Sequence, residues 1–176
     1  MQNVAWDHIG YTDELAEAVS KADAICFGTL GLRSQESHDT IIKLLQHAKE
    51  GALKFFDINL RANFYSKELI EELPGYANIF KINDDELIMM REMFSIPEGN
   101  DEEACKWFMD RFDLEYTILT GGATFSTIIA KDGETSTLLT PHVEVAATVA
   151  YVCTKEGGWP AYPTEGVPDY LAAAAK

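Results

Sequence analysis

The sequence predicts an α/β domain: a mainly parallel sheet with an antiparallel hairpin at one edge. Three observations carry this. Short apolar runs alternate with longer amphipathic segments as far as residue 119, a polar cluster follows each of several apolar runs, and after Thr120 two β-rich runs are separated only by the turn Lys131-Asp132-Gly133-Glu134. Alternation of strand and helix implies βαβ units, whose crossovers need parallel pairing, whereas a short turn between extended runs needs antiparallel pairing.

Taken in order, Thr12 or Asp13 caps a helix running through Lys21, and residues 24–27 form a buried strand that ends at Gly28. A helix over 37–49 places Ile41, Leu44, Leu45 and Ala48 on one face until Gly51 stops it. The strand over 53–58 is a nearly continuous apolar run, which suits a sheet covered on both faces. A helix over 66–73 ends at Pro74-Gly75, and a strand over 78–82 leads to Asn83 or Asp84, either of which caps a helix over 86–94. The next helix begins near Asp101, turns Ala104, Phe108 and Phe112 inward, and precedes a strand over 116–119. Runs over 125–130 and 135–140 make the hairpin, and residues 143–145 add a short extended piece. Residues 146–153 are apolar and β-branched, Gly157-Gly158-Trp159-Pro160 breaks them, and an alanine-rich helix over 169–176 lies within a terminal tail, 165–176. The whole, 1–176, reads as a single α/β domain without internal repeat or linker.

Composition narrows the function classes. A chain of 176 residues that is 47% hydrophobic and 24% charged is ordinary for a soluble globular domain, and 14 basic against 29 acidic residues leave a formal charge of −15. A field of that sign repels phosphate backbones and anionic lipid, so no nucleic-acid or membrane-surface role is expected. Small phosphate ligands stay open, because they answer to local amides, helix N-termini and Mg²⁺. Cys26, Cys105 and Cys153 show no C-x-x-C spacing and read as reduced, mostly buried thiols. The N-terminus lacks a basic and an apolar leader region, and no segment reaches the roughly 18 apolar residues of a membrane helix. A soluble cytoplasmic protein is the expectation.

The residues able to do chemistry gather where strands stop. Asp57, Asn59 and Arg61 alternate along a segment leaving a strand, so that a carboxylate, an amide and a guanidinium point one way and suit a polyhydroxylated, phosphorylatable ligand. A polar strand end with local salt bridges accounts for the same spacing. Asn83 and Glu86 have the spacing of a capping box at a helix start, which is also where phosphate and hydrated Mg²⁺ are accommodated. Thr120-Gly121-Gly122-Ala123 joins a strand to the hairpin, either as a tight turn or as a place where a nucleotide approaches the backbone. The P-loop and G-x-G-x-x-G patterns are absent, the four histidines are scattered, and no catalytic nucleophile or base can be named.

The order of these clusters, D-x-N-x-R, then K-x-N-x-x-E, then T-x-G, resembles the nucleotide-binding half of ribokinase/PfkB-family sugar kinases, fructokinases above all. Cys26-Phe27-Gly28-Thr29-Leu30-Gly31-Leu32-Arg33-Ser34 is similar to their F-G-S-L-x-x-R-S segment, Phe56-Asp57-Ile58-Asn59-Leu60-Arg61 to their F-D-x-N-L-R, and Pro160-Ala161-Tyr162-Pro163 to their proline-containing ending. The resemblance covers roughly residues 3–164. It implies a ribokinase-like three-layer sandwich, shortened, with ATP and Mg²⁺ as cofactors, a sugar and a nucleotide as small-molecule partners, and a possible homo-oligomer. It further implies that Asn59 and Arg61 line the phosphate and sugar side, that Asn83 and Glu86 hold phosphate and the Mg²⁺ hydration shell, Glu86 through water, and that Thr120 and Gly122 border the nucleotide.

Two departures qualify the activity. The resemblance begins near the family's middle, so the region with most sugar contacts and the β-sheet lid is expected to be missing. Where the family has D-T-x-G-A-G-D, whose glycine amides and final Asp serve as anion hole and base, this chain reads Ala146-Ala147-Thr148-Val149-Ala150-Tyr151-Val152-Cys153. The resemblance therefore implies a truncated portion of a kinase that phosphorylates a fructose-like sugar, inactive by itself. The alternative is a non-catalytic nucleotide-binding or interaction remnant.

Overall fold

The computed structural model describes residues 3–62 and 64–139. The expectations for 143–145, 146–153 and the tail 165–176 lie outside the described residues. Helix α1 (Asp13–Lys21) precedes β1 (Ala24–Gly28), α2 (Gln35–Leu45), β2 (Leu53–Asp57), α3 (Lys67–Glu72), β3 (Ile79–Asn83), α4 (Asp84–Phe94), α5 (Asp101–Phe112), β4 (Tyr116–Gly121), β5 (Phe125–Ala130) and β6 (Thr135–Leu139). Short 3-10 turns cover Ala5–Asp7, Thr29–Leu32 and Leu73–Tyr76.

Strand order in the sheet follows the chain, β1 to β6, with β1 to β4 parallel and β5 antiparallel to β4. Capping explains the helix starts. Thr12, Ser34, Ser66, Asn83 and Asn100 each accept a bond from a backbone N–H of the first turn, and Asn83-Glu86 and Asn100-Glu103 complete reciprocal capping boxes. Thr12 and Asn83 are thus the caps, and α4 starts two residues before the expected 86. Helix α2 runs 35–45 rather than 37–49, because Ser34 caps it earlier and the chain turns after Leu45 towards Gly51 at φ +77.

Sequential parallel strands joined by right-handed crossovers carry their helices on one face of the sheet. The core lies there. Phe27, Phe56, Phe80, Thr117 and Ile129 occupy one row across β1 to β5, all buried, and Phe27–Phe56, Phe56–Phe80 and Phe80–Phe108 have ring centroids 5.4, 5.6 and 5.1 Å apart. Leu45, Ile70, Leu73, Met90, Ala104 and Cys105 pack into the same cluster from the helices and the turn after α3. Phe112, expected to point inward, is only partly buried against it. Alternate strand residues face the other way. On that face Leu53, Tyr116 and Ile128 are 44%, 39% and 45% exposed, and Asp57 pairs with Lys81 at 3.0 Å. The 53–58 run is therefore covered on its Phe56 face, while on the other face Leu53 stays exposed, so the two-sided cover expected of it is met on one face only. No described helix is long and apolar enough to cross a membrane.

The N-terminal segment is fastened by a buried ion pair. Arg33 donates through Nε to Asp7 Oδ1 at 2.6 Å and through Nη2 to Oδ2 at 2.8 Å, while its guanidinium sits 4.1 Å from the Phe64 ring centroid. The guanidinium holds the Asp7 carboxyl well below the usual carboxylate range. A depressed carboxyl pKa stabilises the fold above the unfolded value, and that contribution is lost as pH falls through the folded one. Asp7→Asn should lower stability at neutral pH, with the difference from wild type narrowing below about pH 4, as urea melts across pH 2–7 would read.

Thr117 generates a second prediction. Its hydroxyl is buried in the aromatic row and finds no hydrogen-bond partner among the described residues. Thr117→Val removes the unpaired group at constant shape, so stability should rise by about 1 kcal/mol. Thermal melting should show an increase of roughly 3 °C, and a decrease would mean that the hydroxyl is satisfied.

Candidate functional site

The aromatic row fixes which strand ends are neighbours, and the register does the rest. Asn83, the last residue of β3, lies beside Thr120 of β4, while Asp57 at the end of β2 lies between Gly28 and Lys81. Ile58 N–H still donates to the Lys81 carbonyl at 3.2 Å, so β2 continues one bond beyond Asp57 before the chain turns at Asn59. Asn59 adopts φ +37, in the left-handed region that asparagine tolerates better than other side chains. Arg61, two residues on, is exposed and makes no ion pair among the described residues.

Glu86 joins these ends. Its side chain is buried, with Oε2 accepting from Asn83 N–H at 3.0 Å and Oε1 accepting from Leu60 N–H at 2.8 Å, while its own N–H donates to Asn83 Oδ1 at 2.8 Å. The capping box predicted from spacing is real, and its second oxygen does more than cap. It ties the exit loop of β2 to the start of α4. An ionised carboxylate has four acceptor positions, so the two amides leave Glu86 with capacity for water.

Two glycines permit close approaches. A Cβ on Gly28 would lie 2.5 Å from the carbonyl oxygen of Asp57, and one on Gly121 would lie 2.2 Å from the Phe125 ring. Gly122 has φ +52, and Thr124 N–H closes the turn onto the Gly121 carbonyl at 2.9 Å. Next to Gly28, the buried Thr29 hydroxyl donates to the Ile58 carbonyl at 2.8 Å and lies 3.4 Å from that of Asn59. The sequence alone gives neither Gly28 nor Thr29 a role, although both lie in the segment similar to F-G-S-L-x-x-R-S.

Charge is uneven around these strand ends. Asp84 and Asp85 are exposed in the first turn of α4, where the helix dipole favours them, and Arg61 is the cation on the β2 exit loop. No cluster of three or more His, Cys, Asp or Glu able to hold a metal occurs among the described residues. The two described thiols, Cys26 and Cys105, take no part in the strand-end cluster. Burial pushes Cys105 up to about 12, and Cys26, exposed rather than buried as expected, is raised by partial desolvation and by Asp57. Asn59, Asn83 and Thr120 thus stand at the carboxyl ends of three adjacent parallel strands, which is where ligands bind in open α/β sheets. Amide donors, a guanidinium and a helix N-terminus together suit a phosphate-bearing ligand.

The profile described as pfkB family carbohydrate kinase matches residues 3–150. No curated protein sequence matches the chain significantly. Among solved structures, an aminoimidazole riboside kinase from Salmonella enterica is 23% identical with a TM-score of 0.57, over 69% of this chain and 40% of that one. An uncharacterised sugar kinase from Pyrococcus horikoshii gives 18% and 0.61 over 89% and 52%, and a fructokinase with bound ATP from Xylella fastidiosa gives 14% and 0.58 over 77% and 44%. At these identities the likeness shows the fold, which is ribokinase-like α/β. The chain spans about half the length of these proteins or less.

The double role of Glu86 is testable through stability. Glu86→Gln keeps one acceptor oxygen and sets an amide NH₂ against the other backbone N–H, so it should cost about 1–3 kcal/mol. Chemical denaturation would read the loss. A neutral outcome would mean that the Leu60 and Asn83 amides are satisfied elsewhere.

Proposed function

The chain belongs to the pfkB family of carbohydrate kinases, and on that premise we propose that it is the nucleotide- and phosphate-binding portion of an ATP-dependent kinase for a fructose-like sugar. The observation that carries this reading is the meeting of Asn59, Asn83 and Thr120 at adjacent strand ends, with Glu86 bonded to both the β2 and β3 ends. ATP with Mg²⁺ would supply the phosphoryl group and neutralise its charge. On the protein side, Arg61 and Asn59 would bind and orient phosphate oxygens, and the side-chain NH₂ of Asn83 would add a donor at the α4 N-terminus. Glu86, already committed to two amides, would hold a water of the metal's hydration shell with its remaining acceptor capacity. That fits a hydrated cation, which needs few direct protein ligands. Thr120 and Gly122 would border the nucleotide, since a glycine at positive φ with open space at its Cβ position leaves backbone accessible.

A specific observation favours a second reading, a nucleotide-binding chain without turnover. No glycine-rich D-T-x-G-A-G-D run occurs anywhere in the sequence. Phosphoryl transfer rests on positioning and on electrostatic stabilisation of developing charge, and loss of one such donor typically costs about 10²–10³ in rate. Binding and turnover should therefore separate in the 176-residue chain. Calorimetric titration with MgATP on protein of verified mass should show binding that Arg61→Ala weakens roughly tenfold or more. A coupled ADP-release assay with fructose should show no sugar-dependent turnover. Robust turnover would overturn the inactive reading, and absence of ATP binding would overturn the nucleotide role.

A further inference from the structure

We propose that Thr29 is a positioning residue that holds the Asn59–Arg61 loop in its phosphate-binding conformation, an inference that rests on the role given above to Asn59. Three observations meet at this point. The Thr29 side chain is buried, and its hydroxyl donates to the Ile58 carbonyl at 2.8 Å, with the Asn59 carbonyl 3.4 Å away. Asn59 itself sits at φ +37, in the left-handed region, where even asparagine, which tolerates it better than most, benefits from being held by its surroundings. The loop is then held on its far side by Leu60 N–H donating to Glu86 at 2.8 Å. The left-handed residue is thus gripped at the carbonyl before it and at the amide after it, by two side chains from different strand ends. Gly28 makes the first grip possible. With the Asp57 carbonyl oxygen 2.5 Å from where its Cβ would be, only glycine lets the end of β1 come close enough for Thr29 to reach across.

The chemistry follows from this placement. A threonine hydroxyl is a single short donor on a stiff side chain, so it fixes the direction of the Ile58 carbonyl and with it the peptide plane that starts Asn59. Released from that bond, Asn59 would relax towards the ordinary φ range, and the direction of its side-chain amide and of the following Arg61 would no longer be fixed. Thr29 touches no ligand in this account. It acts through Asn59.

A double-mutant cycle on the 176-residue chain tests this, with MgATP as the probe in calorimetric titration. Thr29→Val, which keeps the shape and removes the donor, should weaken MgATP binding about tenfold, whereas Thr29→Ser should stay within about twofold of wild type. Because Thr29 acts through Asn59, the pair Thr29→Val with Asn59→Ala should bind no more weakly than Asn59→Ala alone. A merely structural role predicts additive losses instead. Additive losses, or wild-type affinity in Thr29→Val when Asn59→Ala is impaired, would overturn the positioning role alone. Wild-type affinity in Asn59→Ala would overturn the role of Asn59 and the proposal with it. If wild type binds no MgATP, the kinase reading falls separately, and hydrogen exchange decides the clamp. Faster exchange at the Leu60 amide in Thr29→Val, with amides of β3 unchanged, would support it, and unchanged or uniformly faster exchange would overturn it. Should Thr29→Val not fold, Thr29→Ala takes its place in every arm.

Discussion

The stacked row of Phe27, Phe56 and Phe80, closed by Phe108 of α5, is the constraint from which the rest follows. Side chains on a strand alternate faces, so burying one residue from each of three adjacent strands in one layer leaves no freedom of register. A one-residue slip of β2 would carry Phe56 to the open face and replace it with Phe55 or Asp57. Because the register cannot slip, β1 and β2 end level at Gly28 and Asp57, opposite Lys81, and β3 runs on to Asn83 beside Thr120, so the polar residues around these ends are delivered on adjacent strands. The hydrophobic core thus sets the geometry of the strand-end cluster.

Fixed strand ends would still leave flexible loops, and here polar chemistry takes over. Glu86 is buried, yet both its carboxylate oxygens accept backbone N–H groups, so its burial is compensated by charge-assisted bonds. The same bonds join the β2 exit loop to the start of α4, beside the packing of Leu60 against the core. Thr29 supplies a third link from β1. A site held by such links binds with less ordering cost than one assembled from free loops. It also concentrates consequence, since loss of one acceptor releases several backbone groups together.

Much of this was legible in the sequence, and the exceptions share a physical cause. Among the described residues, periodicity located the six strands and the five α-helices to within a few residues, because each element follows from local patterning, and Asn83-Glu86 announced its capping box by spacing alone. The third bond of Glu86, to Leu60, was not legible. It joins residues 26 apart, and nothing local distinguishes a capping glutamate from one that also reaches another strand. The Asp7–Arg33 pair, also 26 apart, and the partnership of Thr29 with Ile58, 29 apart, were hidden for the same reason. Exposure misled in a different way. The apolar run at 53–58 reads as two-sided cover, whereas Leu53 is largely open among the described residues, because composition reports what a strand tolerates and not what lies against it.

The acidic composition finally bears on how such a chain could take a phosphate ligand at all. A formal charge of −15 opposes anion approach at long range, but screening confines that field to roughly 8–10 Å in physiological salt. Within that distance the local inventory decides. At the strand ends it comprises the Arg61 guanidinium, the side-chain amides of Asn59 and Asn83, and the α4 N-terminus, while Asp57 is neutralised by Lys81 and Glu86 is occupied by two amides. The remaining open carboxylates of that region, Asp84 and Asp85, are exposed in the first turn of α4, where the helix dipole favours them. Net repulsion at a distance and local attraction at the strand ends are therefore compatible. Together they favour a ligand that arrives with its charge already partly neutralised by a divalent ion over a bare polyanion.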